Sequence, residues 1–252
     1  MSTAPRLFVS IPLCEGQAVE LSAEQAHYLN NVMRKVVGDD LLLFNGQDGE
    51  WAGVIVQARK KVCVIDVTHK TRDQDVCPDI HLVFAPIKKQ RLDFIIEKAT
   101  ELGVAALCPV ITRRTIVSKI RTDRLEAQAI EAAEQCERLH IPVVQDSVSI
   151  EQLVADWPED RTLFVLDERG GAQPINQALN ENKSQTCAIL TGPEGGFDPS
   201  ELDLLDKVKN VVRISVGPRI LRADTAALAA ISCWQSVVGD WQMPLRDRFG
   251  DE

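Results

Sequence analysis

Residues 187–205, CAILTGPEGGFDPSELDLL, show the pattern of strand, loop and helix that determines the fold of the larger part of this chain. The apolar run at 187–190 has the length and composition of a buried strand. The stretch DPSE at 198–201 combines an N-cap aspartate, a first-turn proline and a reciprocal carboxylate, which together predict the start of a helix. Between them lies the glycine- and proline-rich run TGPEGGF at 191–197. The segment is therefore predicted as a strand, a fixed loop and a helix.

Strand and helix patterns alternate in the same way over most of the chain. Strands are predicted at 80–85, 104–111, 163–166, 187–190 and 211–216, with a further strand starting at 143–144, and helices at 88–102, 122–140, near 175–179 and at 226–238, with another helix capped at 149–152. Such alternation is typical of an α/β domain with a mostly parallel sheet and helices on both faces.

The first 72 residues show a different pattern, in which short strands dominate. Apolar or β-branched runs predict strands at 6–9, 41–44, 51–58 and 62–67, the last two as a hairpin. The capping-box signal SAEQ at 22–25 predicts one helix, which Gly38 closes. This part is predicted to be a small β-barrel. The polar stretch at 70–75 is the expected linker, so we predict domains over residues 1–72 and 76–246.

The bulk composition narrows the class of protein. Of the 252 residues, 45% are hydrophobic and 26% are charged, which is ordinary for a globular chain. The sequence contains neither an apolar run of membrane-spanning length nor a secretory leader pattern, so we expect a cytoplasmic protein without a membrane partner. The seven cysteines include no C-x-x-C pair and the four histidines have no ligand spacing. We therefore expect neither a disulfide framework nor a bound metal.

The net charge of −9 conceals an uneven distribution. Residues 1–72 hold 8 basic and 8 acidic side chains, residues 86–125 hold 9 and 4, and residues 126–252 hold 11 and 22. Because phosphate backbones are bound by local basic patches, a neutral first part and a basic middle are compatible with RNA binding. A solvated helix face is the alternative interpretation of the same charges.

Two loops at predicted strand ends have the composition of a ligand site. Parallel sheets bind ligands beyond the carboxyl ends of their strands, which is where TGPEGGFDP at 191–199 and VGPRILRADTAA at 216–227 are expected. Neither loop has the lysine and hydroxyl of a P-loop, and no G-x-G-x-x-G follows the early strands. A nucleoside triphosphatase and a classical dinucleotide enzyme are therefore disfavoured. Rigid Gly-Pro loops better suit a bent nucleoside that is neutral or cationic.

The combination of TGPEGGF (191–197) with VGPRILRADTAAL (216–228) closely resembles the C-terminal signature of the RsmE family within the SPOUT methyltransferases. The resemblance extends over nearly the whole chain, through PRLFV (5–9), HYLNNVMRKVVGD (27–39), KKQRLDFIIEKATELGV (88–104), CPVITRRTIV (108–117) and AAEQCERLHIP (132–142). One departure is Glu137, where the family pattern has a small residue such as glycine.

The resemblance implies both a fold and an activity. The fold is a small PUA-like domain followed by an α/β SPOUT domain with a C-terminal trefoil knot, although general topology rules alone would predict an unknotted sheet. The activity is transfer of a methyl group from S-adenosylmethionine to N3 of one uridine in 16S ribosomal RNA of the small subunit, by a homodimer. Two alternatives stay open: a non-catalytic RNA-binding or ribosome assembly factor, and the same chemistry on another RNA.

We expect three loops, Leu166–Glu168, Thr191–Gly196 and Val216–Thr225, to enclose S-adenosylmethionine in a bent form, largely through backbone groups. The predicted residues of this cofactor site are Leu166, Thr191, Gly192, Pro193, Glu194, Gly195, Gly196, Val216, Gly217, Ile220, Leu221, Arg222 and Thr225.

Catalysis needs a deprotonated uridine N3, which suggests roles for three side chains. Arg222 is the first candidate to stabilise the uracil anion, with a structural salt bridge as its alternative role. Glu194 and Asp224 are the carboxylates that could accept the proton, and helix or turn capping is the alternative for both. RNA contacts are expected from exposed basic residues, with ordinary surface solvation as the alternative. These residues are Arg6, Arg34, Lys88, Lys89, Arg91, Arg113, Arg114 and Arg138.

Overall fold

The strands of this chain form two separate sheets, one in each of two structural units. The computed structural model describes residues 4–59, 61–117 and 119–244. Of the described residues, the first unit contains those up to Val76 together with Ala133–Ile141, and the second contains those in Cys77–Ala132 and in 142–244. The predicted domains, 1–72 and 76–246, stay a prediction. They include residues 1–3, 60, 118, 245 and 246, which lie outside the described residues.

The first unit has five strands and one short helix. The strands are β1 (Arg6–Phe8), β2 (Ala18–Glu20), β3 (Asp40–Phe44), β4 (Glu50–Arg59) and β5 (Val62–Arg72). Their order in the sheet is β1-β3-β4-β5-β2, with β1 parallel to β3 and the other pairs antiparallel. The β4–β5 hairpin is confirmed, and three register shifts along it provide the bulges that bend and twist a strand pair. Alternate side chains such as Leu43, Ile55 and Ile65 form the core of this small β-rich unit.

The helix of the first unit begins as predicted but ends early. It is α1 (Ala23–His27), and the capping box is confirmed, since Ser22 Oγ accepts from the Gln25 amide while Gln25 Oε1 accepts from the Ser22 amide. A π-helical turn, Tyr28–Val32, follows it. The predicted continuation to Gly38 is wrong, because Arg34 adopts a φ of +56°, a left-handed conformation that no helix continues through.

The second unit is an α/β structure, as the alternation predicted. Its strands are β6 (Ile80–Phe84), β7 (Ala106–Ile111), β8 (Val143–Val144), β9 (Val148–Ser149), β10 (Thr162–Leu166), β11 (Gln173–Pro174), β12 (Cys187–Thr191) and β13 (Val211–Ser215). The sheet has the order β11-β13-β10-β12-β6-β7-β8, β9 pairs with β7, and every pairing is parallel. The mostly parallel sheet is thus confirmed, and the trefoil knot stays a prediction.

The helices between these strands match the predicted segments except at two ends. They are α2 (Lys89–Glu101), α3 (Thr122–Gln135), α4 (Ile150–Ala155), α5 (Ile175–Asn182), α6 (Pro199–Leu205) and α7 (Ala223–Val237), with a 3₁₀ turn at Asp240–Gln242. The capping box of α6 is confirmed, with Asp198 as the N-cap and Glu201 as its partner. The predicted extension of α3 to residue 140 is wrong, because Glu137 has a φ of +60°. The start of α7 at Ala223 lies three residues before the predicted start at 226.

The strand order fixes where a ligand site can form. Strand β10 lies between β12 and β13, and all three run in the same direction. Their carboxyl ends, at Leu166, Thr191 and Ser215, therefore release three neighbouring loops at one edge of the sheet.

Candidate active site

A cleft of about 770 Å³ opens at this edge of the second unit, between the loops that follow β10, β12 and β13. All of the predicted cofactor residues except Thr225 line it. Thr225 lies in the first turn of α7, where its amide donates to Asp224 Oδ1 at 2.9 Å. The structure thus brings together two loops that are separated in sequence and that the sequence pattern singled out.

Several lining residues were absent from the predicted set. They are Arg114, Asp167, Glu168, Arg169, Gly170, Ala172, Phe197, Leu202, Ile214, Ser215, Pro218, Arg219, Ala223 and Ala226. Most of them lie in or beside the three loops predicted to enclose the cofactor, and Asp167 and Glu168 belong to the predicted loop Leu166–Glu168. Arg114 belongs to none of these loops, because it follows the separate strand β7 and reaches the cleft only through tertiary structure.

The β12–α6 loop is held by its own turn and by close packing. The Thr191 carbonyl accepts from the Ala85 amide at 3.0 Å, and the Gly196 amide donates to the Pro193 carbonyl at 2.9 Å. A Cβ atom on Gly192 would lie 2.9 Å from the buried ring of Phe197. Position 192 therefore requires glycine, because a side chain there would clash with the ring of Phe197.

The segment after β7 also holds this loop. Arg114 Nη1 donates to the Gly195 carbonyl at 2.8 Å, and the amide of Arg113 donates to Glu201 Oε1 at 2.7 Å. Asp198 accepts from Ser200, and it lies near both arginines. The hydrogen bonds from Ser200 are the main cause that lowers the pKa of Asp198. An ionised Asp198 thus caps α6 and helps to anchor the glycine loop.

Asp167 is a buried carboxylate at the end of β10. Its Oδ1 accepts from the Arg169 amide at 3.0 Å, and Arg213 Nη1 donates to its Oδ2 at 3.2 Å. Burial disfavours the charged form of Arg213, but its hydrogen bonds with Asp206 and Asp167 outweigh burial and raise its pKa. Asp167 therefore has an internal counter-charge and serves to fix the start of its loop.

The β13–α7 loop presents Arg222 to the cleft. Gly217 adopts a φ of +101°, which favours glycine at this turn. Arg222 is the N-cap residue of α7, and its carbonyl accepts from the Ala226 amide at 2.8 Å. Within the described part of the chain, no hydrogen bond or ion pair holds its exposed guanidinium. The salt-bridge alternative thus finds no partner there.

The two carboxylates considered as proton acceptors have different surroundings. Asp224 accepts from the Thr225 amide in the first turn of α7, where a negative charge also stabilises the helix dipole. Glu194 is exposed in the cleft, and among residues 4–59, 61–117 and 119–244 its carboxylate has no hydrogen-bonding partner. Asp198 takes the capping role at the following helix. Glu194 is therefore the better placed of the two to act on a ligand.

The chemistry of the cleft suits an amphipathic, cationic nucleoside. Apolar side chains such as Leu166 and Phe197 line it beside exposed backbone and three carboxylates: Asp167, Glu168 and Glu194. The apolar and acidic parts suit a nucleoside with a sulfonium group. The lining also carries four positive charges, which suit an anion such as an RNA phosphate: Arg114, Arg169, Arg219 and Arg222.

The predicted RNA-binding residues occupy very different environments. Arg34, Lys88, Lys89 and Arg113 are exposed, and Arg91 and Arg138 are half-buried. Arg6 is buried, and all three nitrogens of its guanidinium donate inside the first unit, to Glu50 Oε2 and to the carbonyls of Ala133 and Arg138. Its guanidinium also lies 3.9 Å from the centre of the Phe44 ring. We therefore assign Arg6 a structural role.

Metal-binding clusters and membrane-spanning helices are absent from the part of the chain that the structure describes. The described residues contain no group of three or more histidine, cysteine, aspartate or glutamate side chains placed to hold a metal ion. None of the helices in that part of the chain has both the length and the apolar composition required to span a membrane.

Comparison with known proteins decides the family. A model of an RNA methyltransferase domain matches residues 75–235, and a model of an RNA methyltransferase PUA domain matches residues 21–67. The Ribosomal RNA small subunit methyltransferase E of Rickettsia conorii is 32% identical over 228 residues, covering 90% of this chain and 93% of that protein. This chain belongs to the ribosomal RNA small subunit methyltransferase E family.

Other members of the methyltransferase E family give the same result. The protein of Bacillus subtilis is 31% identical over 86% of this chain and 90% of its own length. The crystal structure of the Neisseria gonorrhoeae protein, bound to S-adenosyl methionine, is 28% identical and has a TM-score of 0.86 over 94% of this chain and 99% of that one. The fold of an RNA methyltransferase with an N-terminal PUA domain is therefore shared along nearly the whole chain.

Proposed function

We propose that this chain transfers a methyl group from S-adenosylmethionine to N3 of one uridine in 16S ribosomal RNA of the small subunit. The observation that carries the proposal is the cleft itself, in which three neighbouring loops enclose apolar and acidic groups beside the guanidinium of Arg222, which has no ion-pair partner among the described residues. Membership of the methyltransferase E family supports the RNA substrate, and the bound ligand of the Neisseria gonorrhoeae protein supports the cofactor.

The three loops would hold the cofactor mainly through their backbone groups. When bound, S-adenosylmethionine supplies a methyl group on a positively charged sulfur. The loops reach the cleft as fixed structures, because the 191–197 loop is tied to Arg114 and the 167–172 loop starts at the buried Asp167. A site that is already formed loses little conformational entropy on binding.

Arg222 would promote the reaction by stabilising negative charge on the uracil ring. Uridine N3 becomes nucleophilic only when it loses its proton, and the anion then carries charge on the two carbonyl oxygens. A guanidinium beside one of these oxygens lowers the pKa of N3. Arg222 cannot act as the base itself, since arginine stays protonated. Its lack of a partner among the described residues leaves its donors available for this task.

Glu194 would accept the N3 proton. It is exposed in the same cleft as Arg222, whereas Asp224 already accepts from a backbone amide. When the methyl group is transferred, the positive charge on the sulfur of the donor and the negative charge on the uracil ring disappear together. A cleft that excludes water favours this cancellation of charge.

RNA would be held by the basic residues other than Arg6. Lys88, Lys89 and Arg91 surround the start of α2, whose first turn contains no acidic residue and whose N-cap makes no side-chain hydrogen bond. Positive side chains at the positive end of a helix dipole are unfavourable in isolation. A bound phosphate group would offset both the charge of the side chains and the positive end of the dipole. Arg34, Arg113 and Arg138 complete the proposed set. Arg34 is in a left-handed conformation that costs about 1 kcal/mol, and such strain is often retained at functional positions.

We also propose two domains and a dimeric active form. The proposed RNA-binding domain is 1–72, the proposed catalytic domain is 76–246 with a trefoil knot, and the active form is a cytoplasmic homodimer.

Two tryptophans near the end of the chain differ in exposure. Trp234 is buried and donates to the Ser184 carbonyl, so it is a core residue, but Trp241 is 52% exposed. The exposed Trp241 and Phe94 are apolar surfaces that a second copy could cover.

The test is transfer of radiolabelled methyl groups from S-adenosylmethionine to small ribosomal subunits from cells that lack this activity. We expect label in the 16S RNA and none in subunits from cells that have the activity. Label in a different RNA would keep the enzyme class and contradict the substrate. Absence of both label and cofactor binding would instead support a non-catalytic assembly factor.

A further inference from the structure

Glu168 places a negatively charged side chain in the cleft, in space that is open because residue 196 is glycine. It lies two residues beyond the end of β10 and lines the cleft. Its side chain reaches the β12–α6 loop, because Oε1 lies 3.1 Å from the position that a Cβ atom on Gly196 would occupy. Gly196 has a φ of +67°. A side chain at position 196 would be strained and would also press on the carboxylate, so glycine leaves the room that Glu168 uses.

Two neighbouring acidic residues, Asp167 and Asp198, are paired within the protein, but Glu168 is not. Glu194, in the β12–α6 loop of the same cleft, is a second carboxylate without a hydrogen-bonding partner among the described residues. Asp167 accepts from Arg213 and from the Arg169 amide, and Asp198 accepts from Ser200 and lies near Arg114. In the part of the chain that the structure describes, Glu168 has no hydrogen bond and no ion pair. The side chain of the next residue, Arg169, lies near Asp167 and not Glu168, with its Nε 3.5 Å from the Asp167 carboxylate. The charge of Glu168 is therefore available to a ligand in the cleft.

The rest of the cleft makes this charge significant. Four arginines line it: Arg114, Arg169, Arg219 and Arg222. These cations suit an RNA phosphate or a uracil anion, but they repel a positively charged cofactor. A carboxylate without an internal partner reverses this repulsion locally. Glu168 is exposed, so water screens part of its charge.

We propose that Glu168 makes the cleft select the charged methyl donor over its neutral product. This inference rests on the proposed function. In the reaction the bond from N3 to the methyl carbon forms as the bond from sulfur to that carbon breaks, and the electron pair of the broken bond stays on sulfur. The sulfonium thus becomes a neutral thioether, S-adenosylhomocysteine. An attraction that depends on the sulfonium charge is lost at that moment, which weakens product binding and favours exchange for a new donor.

The test compares binding of three ligands to the full-length protein by isothermal titration calorimetry. S-adenosylmethionine and sinefungin carry a positive charge at the position in question, and S-adenosylhomocysteine does not. For Glu168→Gln we expect the Kd of both charged ligands to rise about fivefold to twentyfold, with less than about a twofold change for S-adenosylhomocysteine. Glu168→Asp, which keeps the charge on a shorter side chain, should retain part of the selectivity. Glu126→Gln is the control, since Glu126 is exposed on α3 outside the cleft and should leave all three Kd values unchanged.

The outcomes separate this inference from the proposed function. Equal weakening of all three ligands would overturn the inference, because the carboxylate would then contact a group that donor and product share. Unchanged binding of all three by Glu168→Gln, with a native circular dichroism spectrum, would overturn it as well. Failure of the unmodified protein to bind any of the three would contradict the proposed function itself, and this inference with it.

Discussion

Arg114 Nη1 donates a 2.8 Å hydrogen bond to the carbonyl oxygen of Gly195, which joins the segment after β7 to the glycine loop after β12. The two residues are 81 positions apart in sequence. The bond fixes one carbonyl of a loop that lines the cleft, and the same guanidinium lies 3.5 Å from Asp198. The shape of the proposed cofactor site therefore depends on an arginine outside the three loops that form it.

Loss of this link should weaken cofactor binding without unfolding the protein. Arg114→Ala removes this hydrogen bond and the 3.5 Å contact with Asp198 from a partly exposed loop, which together correspond to about 1 kcal/mol or a roughly fivefold higher Kd for S-adenosylmethionine. The measurement is calorimetric titration at constant ionic strength. Arg121→Ala is the matched control, because Arg121 is exposed and its ion pair among the described residues is with the nearby Asp123. Equal Kd values for the two variants would show that Arg114 does not shape the site.

Substitution of Arg222 should separate catalysis from cofactor binding. Lysine keeps the positive charge but not the planar, forked donor geometry, so for Arg222→Lys we expect methyl transfer to fall by about 10²-fold, the loss typical of one group that stabilises an oxyanion. The Kd for S-adenosylmethionine should change by less than about threefold, because the guanidinium is proposed to act on the uracil ring. Single-turnover rates give the first quantity and calorimetry the second. Full activity in the lysine variant would contradict the assigned role.

The left-handed conformation of Glu137 predicts a stabilising substitution. The residue ends α3 with a φ of +60°, and its carbonyl accepts from Arg72 Nη1 at 2.8 Å. Glycine adopts this conformation without the steric penalty of about 1–2 kcal/mol, although the lost side-chain contacts and the freer unfolded chain offset part of the gain. We expect Glu137→Gly to raise the free energy of unfolding by about 0.5–1 kcal/mol in urea denaturation. Glu131→Gly, inside the same helix, should instead lower it by about 1 kcal/mol. Destabilisation by both variants would contradict this account of position 137.

The pair of His140 and Asp75 should make stability depend on pH. His140 Nε2 lies 3.1 Å from Asp75 Oδ1, and this hydrogen bond is the main cause that raises the pKa of His140 above 6.5. The stabilisation is therefore fully present below pH 6.5 and is lost as pH rises through the raised pKa. Because the pair is partly exposed, its contribution is at most about 1 kcal/mol.

The measurement compares urea denaturation of the unmodified protein and His140→Asn at pH 5.5 and 8.5. The difference in unfolding free energy between the two proteins should be larger at pH 5.5. The same substitution at the exposed His27 is the control. A larger difference at pH 8.5 than at pH 5.5 would show that the sign assigned here is wrong.

Most of the fold could be predicted because its signals are local. Apolar runs such as 163–166 and helical patterns such as 88–102 are set by residues within a few positions of each other, and the structure has strands and helices there. The two C-terminal helix ends that were predicted wrongly share one cause. Arg34 and Glu137 both take left-handed conformations in which sequence rules look for glycine or asparagine, so neither helix end carried the expected signal.

The part of the site that could be predicted is the part with an unusual local sequence. The loops at 191–197 and 216–222 have a glycine- and proline-rich composition that stands out in the sequence, and the structure places both at one cleft. Arg114 has no unusual local sequence, and its place at the cleft depends on a contact 81 residues away that no local pattern shows. Glu168 lies in a loop predicted to enclose the cofactor, but its position beside Gly196 depends on β10 lying beside β12. Arg6 shows the reverse case, since a basic residue in sequence proved to be a buried partner of Glu50.

Mapping of the modified base shows whether the protein methylates N3 of a single uridine. Small-subunit RNA from cells lacking the activity would be treated with the purified protein and S-adenosylmethionine, then digested and analysed by mass spectrometry. Reverse transcription would locate the site, because a methyl group on N3 blocks base pairing. The account predicts 3-methyluridine at one position of the 16S RNA, with none formed by Arg222→Ala. A methyl group on another atom, on another base or at many positions would contradict it.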